Sequence, residues 1–306
     1  MKIVFMGTPD FSVPCLARLL KEGHEVSLAV TRADQPKGRG HKMTPPPVKE
    51  FALSHGIPVF QPTTLKSDEV YERLAAEQAD LFLVVAYGRI LPQRVLDLPR
   101  YGCINIHASL LPKYRGAAPI QWAVLNGEKE SGVTSMQMEA GLDTGDILLT
   151  GRVEIGPDMT FGQLQDALSL LGADVMADTL AALERGELHP IKQDDALHTY
   201  APMIDKSLCP IDFSRPAGKI HDQVRGLNPW PSASCLLGGK TLKIHRTSLG
   251  EEVEGEPGEV VSLDPFTVCC GSGSLILLEV QPEGGKRMGA ADFLRGHPVA
   301  LGTVLK

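Results

Sequence analysis

The sequence predicts an α/β fold, with a Rossmann-like domain on a parallel sheet followed by a smaller β-barrel or sandwich domain. Two observations predict the first domain: short apolar runs typical of buried strands, and amphipathic segments between them typical of helices. A third observation predicts the second domain, because after about Gly238 short apolar strands recur between Gly and Pro turns. The predicted bounds are 1–189 for the first domain, 190–206 for a linker and 207–306 for the second.

The first half of the chain alternates predicted strands with predicted helices. The strands are the segments KIVFMGT, EVSLAVT, IPVFQP, ADLFLVVAY and GCINIHAS. The helices are SVPCLARLLKEG, VKEFALSHG, SDEVYERLAAEQ and APIQWAVLNG, followed by one long helical pattern that ends at Gly186. Because helices connect successive strands, we expect a parallel sheet with helices on both faces.

The texture of the sequence changes after this long helix. Residues 187–217 contain four prolines and little periodicity, which suits a linker. The segments KTLKIHRTS, GEVVSLD, FTVCCG and SLILLEVQP then read as strands of the second domain.

Overall composition is that of an ordinary globular protein. The 306 residues are 43% hydrophobic and 22% charged, with a formal net charge of -7. A generic nucleic-acid coat protein would be basic, so the net charge argues against that class. It leaves room for a local basic patch.

Cysteine usage and the N-terminus indicate a cytoplasmic protein. The six cysteines form no CxxC pattern, so we expect reduced thiols and no metal site. Cys103 has no activating base pattern around it and is expected in the core. The run MKIVFMG is too short for a signal peptide, and no segment is apolar enough to span a membrane.

Polar residues cluster where two predicted strands end. Ligands of open α/β sheets bind beyond the carboxyl ends of strands. One strand ends at Tyr87 and Gly88 and another near His107, so both are expected to border one crevice. Asn105 and His107 are two residues apart in a strand, so both side chains project from the same face.

A third polar group, Asp143, lies in the Gly-rich segment MEAGLDTGDILL, together with Asp146. An asparagine amide suits an oxyanion, and a histidine suits proton transfer or charged hydrogen-bond donation. A nearby aspartate would orient the imidazole. With no Ser or Cys nucleophile in the set, direct acyl transfer between two bound substrates is favoured. The alternative is that His107 is a structural histidine.

Residues 31–49 form a predicted connection far longer than is usual between a strand and a helix. The segment is basic: it carries Arg32, Lys37, Arg39, Lys42 and Lys49 against one acidic residue, Asp34. It is either a solvated loop or a basic arm that binds phosphate groups. Glycines on both sides of Arg39 favour a backbone that becomes ordered on binding.

Other common catalytic motifs are missing. The segment GTPDFSVP after the first strand is neither a G-x-G-x-x-G fingerprint nor a Walker loop, and neither HExxH nor GxSxG occurs. The remaining candidate chemistry is therefore that of the Asn, His and Asp set.

The segments INIHASLLPKYRGAAPIQWAVLNGE and GLDTGDIL resemble the signature of the 10-formyltetrahydrofolate-dependent formyltransferases. The resemblance implies a Rossmann-like domain in which Asn105, His107 and Asp143 carry formyl transfer, with no metal. It also implies that 10-formyltetrahydrofolate is the formyl donor. We expect the folate to lie along Tyr87, Gly88, Ile90, Leu91, Ser109, Leu110, Leu111 and Pro112.

The rest of the chain is similar to one branch of this family, the methionyl-tRNA formyltransferases. MGTPDFSVPCL, QPKGRGHKM, VFQPTTLK, YAPMIDK and RGLNPWP carry this similarity. It implies an OB-like second domain that contacts tRNA, initiator methionyl-tRNA as acceptor, and Lys37, Arg39, Lys42 and Lys206 as tRNA contacts. A monomer is expected. The alternatives are a nucleotide-sugar or other amine N-formyltransferase with the same donor, and a non-enzymatic tRNA-binding module.

Overall fold

A computed structural model describes residues 1–37 and 42–306. The described chain divides into two compact units. Unit 1 comprises Met1–Pro119, Ser131–Val153 and Gln165–Pro202, and unit 2 comprises Ile120–Glu130, Glu154–Leu164 and Met203–Lys306. The division into independent domains with a linker at 190–206 stays a prediction.

The first part of the chain contains eleven strands and six α-helices among the described residues. The strands are β1 (Lys2–Gly7), β2 (Glu25–Val30), β3 (Gln35–Lys37), β4 (Lys42–Thr44), β5 (Val59–Phe60), β6 (Leu81–Val85), β7 (Cys103–His107), β8 (Arg115–Gly116), β9 (Glu130–Gln137), β10 (Ile147–Glu154) and β11 (Tyr200–Ala201). The helices are α1 (Val13–Lys21), α2 (Pro47–Ser54), α3 (Asp68–Ala75), α4 (Gln93–Leu96), α5 (Pro119–Leu125) and α6 (Phe161–Arg185).

The main sheet has the strand order β10-β9-β7-β6-β1-β2-β5. Strands β5, β2, β1, β6 and β7 pair in parallel, which confirms the predicted parallel α/β sheet. Strand β9 pairs antiparallel with β7, and the sequence analysis missed this strand. The strand order reverses between β1 and β6, the place where such sheets bind ligands.

The core explains why the central strands are continuous apolar runs. Every residue of β6 is buried, as expected for a parallel strand that is covered on both faces. On one face, α6 approaches β7 closely at Gly172, where an added Cβ would lie 3.3 Å from Ile106. That contact covers the face of β7 that carries the apolar residues Ile104 and Ile106.

The basic segment 31–49 contains two short strands that pair with each other. Strands β3 and β4 pair antiparallel, with Lys37 opposite Lys42. Lys49, grouped with the loop cations above, lies in α2 and forms an ion pair with Asp34 at 2.8 Å. This pair holds the pKa of the Asp34 carboxyl below its usual value.

Part of the predicted linker is built into unit 1. The backbone of Ile191 exchanges two 2.8 Å hydrogen bonds with Ile147. Farther along, β11 pairs in parallel with β8, so that Tyr200 lies opposite Arg115. The segment 191–201 is therefore attached to the part of the chain that follows β7.

The second part of the chain is β-rich, as predicted. Its strands are β12 (Ala233–Leu237), β13 (Lys240–Gly250), β14 (Val260–Leu263), β15 (Phe266–Cys269), β16 (Ser274–Pro282) and β17 (Met288–Gly289). They form an antiparallel sheet of order β12-β13-β16-β15-β14, with β17 beside β16. Two helices that the sequence analysis missed accompany this sheet: α7 (Ala217–Gly226) and α8 (Ala290–Gly296).

Within residues 1–37 and 42–306, none of the helices combines the length and the apolar character needed to cross a membrane.

Replacing Leu83 tests the buried sheet. Leu83 lies in β6 and is fully buried, so Leu83→Ala should lower the free energy of unfolding by about 2–5 kcal/mol. Leu53 in α2 is 57% exposed, so Leu53→Ala should change it by less than about 0.5 kcal/mol. Urea unfolding measures both, and equal losses would contradict the assignment of the core.

Candidate active site

Strand β7 places two polar side chains together. Asn105 and His107 lie on one face of this strand because side chains alternate along it. The parallel partner of Asn105 is Val84 on β6, and the antiparallel partners of Asn105 and His107 on β9 are Met136 and Thr134. Asn105 is therefore flanked by paired strands on both sides, and His107 is flanked by β9.

The Asn105 side chain is half-buried. Across the described residues 1–37 and 42–306, its amide has no hydrogen-bond partner within the chain. The amide NH₂ group is thus available as a donor to an external oxygen atom.

The His107 ring has one nitrogen whose role is fixed by its partner. The residue is buried, and Nε2 lies 2.9 Å from the carbonyl oxygen of Tyr114. A carbonyl oxygen can only accept, so we assign the hydrogen to Nε2. Nδ1 is then the nitrogen that can gain or lose a proton, and it lies 3.8 Å from Oδ2 of Asp143.

Asp143 is held in an uncommon conformation. Its φ is 52°, in the left-handed region that favours glycine but that Asp adopts more readily than most residues. Its Oδ2 accepts a 2.8 Å hydrogen bond from the backbone N–H of Gly116. The 3.8 Å to His107 is too long for a direct hydrogen bond but close enough for charge stabilisation.

The turn after β7, residues 109–113, is hydrogen-bonded to β9. The Ser109 hydroxyl donates to the carbonyl oxygen of Lys113 at 2.7 Å. The Thr134 hydroxyl donates to the carbonyl oxygen of Ser109 at 2.7 Å and accepts from the backbone N–H of Leu111 at 3.2 Å. This anchoring sets where residues 114–116 meet His107 and Asp143.

Sequence reasoning missed the groups that support this arrangement. Arg115 is buried and donates to Gln193 and to Asp195. The Thr199 hydroxyl accepts from the backbone N–H of Tyr114 at 2.8 Å, and the Thr199 carbonyl oxygen accepts from that of Arg115 at 2.9 Å. The sequence signal for Arg115 was its charge within the segment INIHASLLPKYRGAAP.

Two family models match this chain. One, described as "Formyl transferase", covers residues 1–180, and the other, "Formyl transferase, C-terminal domain", covers residues 203–298. The chain belongs to the formyltransferase family. The resemblance noted in the sequence is thereby confirmed at the level of the family.

Similar proteins include several methionyl-tRNA formyltransferases. That of Geobacter metallireducens is 52% identical, over 97% of this chain and 96% of the relative. That of Citrifermentans bemidjiense is 51% identical, over 100% of this chain and 96% of the relative. Among solved structures, an N-formyltransferase from Helicobacter canadensis, in complex with folinic acid and dTDP-3-aminofucose, has a TM-score of 0.68 at 20% identity. That match covers 90% of this chain and 98% of the other, and it shows the fold alone.

The residues expected along the folate have mixed exposure. Gly88 and Ile90 are exposed, whereas the Tyr87 and Leu91 side chains pack in the core cluster beside β6. Burial raises the pKa of Tyr87. At this stretch the formyltransferase can therefore offer a ligand Gly88, Ile90 and main-chain groups.

Residues 109–112, the SLLP turn that follows β7, are buried or half-buried. Ser109 and Leu111 are buried, and Leu110 and Pro112 are half-buried. Leu110 packs directly over Gly132, where any Cβ would collide with its side chain. The role of these residues in folate binding stays a prediction.

The structure describes the backbone position of three of the four residues expected to contact tRNA. Lys37 ends β3 and Lys42 begins β4, while Arg39 lies outside the described residues. Lys206 is exposed and begins a short 3-10 turn, Lys206–Leu208. Their role in tRNA binding stays a prediction.

Cys103 is a core residue, as the sequence analysis expected. It is 1% exposed, and burial raises the pKa of its thiol to about 12. It therefore stays a thiol at neutral pH. In the part of the chain that the structure describes, no group of three or more His, Cys, Asp or Glu side chains could hold a metal ion.

A substitution at Gly145 should displace the Asp143 loop. Any Cβ at Gly145 would collide with the carbonyl oxygen of Gln137 in β9. Gly145→Ala should therefore lower kcat for formyl transfer by about 10²-fold, the typical cost of misplacing a catalytic group by 1 Å. Gly218→Ala is the matched control, because an added Cβ there meets nothing within 4 Å. Unchanged kcat in Gly145→Ala would show that the loop tolerates displacement.

Proposed function

We propose that this protein transfers the formyl group of 10-formyltetrahydrofolate to the α-amino group of methionine on initiator methionyl-tRNA, for translation initiation. The observation that carries the proposal is the match to methionyl-tRNA formyltransferases at 49–52% identity over 97–100% of this chain. That match includes unit 2, so it extends to the part of the chain expected to contact tRNA.

The site supports the chemistry of acyl transfer. The free amine attacks the formyl carbon, and negative charge develops on the formyl oxygen. The amide of Asn105, which has no partner among the described residues, donates a hydrogen bond to that oxygen. When His107 carries a second proton, on Nδ1, the ring adds a positive charge and a second hydrogen-bond donor for that oxygen. The Nε2 hydrogen cannot serve as this donor, because it is already bonded to the carbonyl oxygen of Tyr114.

Asp143 completes the proton balance. Its carboxylate, 3.8 Å from Nδ1, stabilises the charged ring. The attacking nitrogen becomes positive and must lose a proton, and the folate nitrogen must gain one as its bond to the formyl carbon breaks. Asp143 and His107 carry this proton between the two nitrogens. The products are the N-formylated amine and tetrahydrofolate.

The substrates would lie at two parts of the chain. The folate would lie along Gly88, Ile90 and the SLLP turn at 109–112, beside Asn105. The tRNA would contact Lys37, Arg39 and Lys42 of the basic segment 31–49, and Lys206. We also propose that the enzyme acts as a monomer in the cytoplasm, where aminoacyl-tRNA is made.

An acceptor assay tests the proposal. Labelled 10-formyltetrahydrofolate is offered with initiator methionyl-tRNA, an amino-sugar nucleotide or glycinamide ribonucleotide. Label on methionyl-tRNA is the expected result. Label on the sugar nucleotide alone would establish a sugar N-formyltransferase, and no label on any acceptor would favour a tRNA-binding module.

Asn105→Ala tests the assignment of the oxyanion donor. Losing one such donor typically lowers kcat by about 10²–10³-fold. The half-buried Asn105 amide has no partner elsewhere in the described chain, so its loss should leave the melting temperature and folate affinity close to wild type. Wild-type turnover in a folded Asn105→Ala protein would remove Asn105 from the mechanism.

Substitutions at Arg39 test the role of the basic segment 31–49. Arg39→Ala should lower the rate of methionyl-tRNA formylation and leave folate affinity unchanged. Arg39→Lys should restore little, because only a guanidinium can fork to or stack on a nucleotide. Arg185→Ala is the control, since this arginine is an exposed side chain at the end of α6. Full rescue by lysine, or equal losses of both properties, would show that generic charge or stability explains the effect.

A further inference from the structure

We propose that Gln193 is a positioning residue that holds the Asp143 loop in its reactive conformation. Gln193 lies in the segment first expected to be a linker, fifty residues beyond Asp143 in the chain. The inference rests on the formyl transfer proposed above, although the placement it describes can be measured without that activity.

The side-chain amide of Gln193 is buried and fully bonded. Its Nε2 donates to the carbonyl oxygens of Asp143 at 2.9 Å and of Gly145 at 2.7 Å. Its Oε1 accepts from Nε and Nη2 of Arg115 at 3.1 and 2.9 Å. A glutamine has two donor hydrogens and two acceptor lone pairs, so no capacity is left over. The opposite amide orientation would set donors against the guanidinium, so the orientation is unambiguous.

Arg115 gives this amide a fixed support. The guanidinium is buried, and a buried charge requires partners. Besides Gln193 it donates to Asp195 at 2.8 Å, and this contact holds the pKa of the Asp195 carboxyl below its usual value. The backbone of Arg115 is bonded to Thr199 and paired with Tyr200. Gln193 therefore joins the Asp143 loop to the side chain of Arg115, whose own position is held by these bonds.

Asp143 needs restraint at two points. Its φ of 52° is unfavourable for a residue with a Cβ and persists only where surrounding contacts enforce it. The Gly116 N–H binds the carboxylate, and Gln193 binds the carbonyl oxygen of the same residue. Together these bonds leave the carboxylate facing Nδ1 of His107.

Gln193→Glu separates the two contacts of this side chain. The glutamate still accepts from Arg115, but it places a carboxylate oxygen against the two loop carbonyl oxygens. If Gln193 positions Asp143, kcat should fall by about 10–100-fold while KM for both substrates stays within about twofold. If Gln193 only neutralises Arg115, Gln193→Glu should be fully active.

A double-mutant cycle identifies the residue through which Gln193 acts. In an Asp143→Asn background, Gln193→Glu should lower kcat by less than about twofold, because the group it positions is already lost. Multiplicative losses would overturn the proposal.

Gln223→Glu controls for loss of stability. Gln223 is also buried, and its Nε2 donates to the carbonyl oxygens of Leu208 at 2.8 Å and Pro210 at 2.9 Å within unit 2. This variant should lose thermal stability and keep its kcat below the unfolding temperature. An equal loss of kcat in both variants at matched melting temperature would assign the effect to stability.

Amide exchange tests the placement without activity. The backbone N–H of Gly116 is held by the Asp143 carboxylate, so its hydrogen exchange should be faster in Gln193→Glu than in wild type or in Gln223→Glu. Unchanged exchange would overturn the proposal even in an active enzyme. If wild type formylates no acceptor, the proposed function fails, while faster exchange would still support the positioning role.

Discussion

The hydrogen bond between Nε2 of His107 and the carbonyl oxygen of Tyr114 is the interaction on which the site depends. It fixes both the tautomer and the direction of the ring, because a carbonyl oxygen accepts only from a protonated nitrogen. It also joins the last residue of β7 to Tyr114, seven positions later in the chain. The Asp143 carboxylate lies 3.8 Å from Nδ1, the nitrogen that this bond leaves available.

Residues 114–116 form a junction for three parts of the chain. Tyr114 receives the ring of β7, Gly116 binds the carboxylate of the Asp143 loop, and Arg115 binds the segment 191–201. These three bonds measure 2.8–3.1 Å and are buried or partly buried, so the three segments restrain one another. Groups that are already in position before a reaction require little reorganisation during it. In the proposed mechanism, this preorganisation is what makes the amide of Asn105 and the imidazole of His107 effective.

Periodicity and strand ends were sufficient to predict the parallel sheet, β7, and the shared face of Asn105 and His107. Strand β9 was missed because its sequence, ESGVTSMQ, is neither a continuous apolar run nor an alternating pattern, and its formation depends on packing in the folded chain. The supporting roles of Gln193 and Arg115 were missed because they come from hydrogen bonds between residues 48 to 78 positions apart in the chain. A polar, proline-containing segment looks like a linker when its partners are unknown. The basic segment 31–49 was visible as charge, but the ion pair between Asp34 and Lys49 of α2 was not.

Nitrogen NMR of the His107 ring shows which of its two nitrogens carries the hydrogen in the neutral form. In protein labelled with ¹⁵N histidine, the signals that vanish in His107→Asn assign this ring among the nine histidines. The account predicts that the neutral ring carries its hydrogen on Nε2, and that Nδ1 is the nitrogen whose shift changes on protonation. A neutral ring protonated at Nδ1 would contradict the bond to Tyr114 and, with it, the proposed direction of proton transfer.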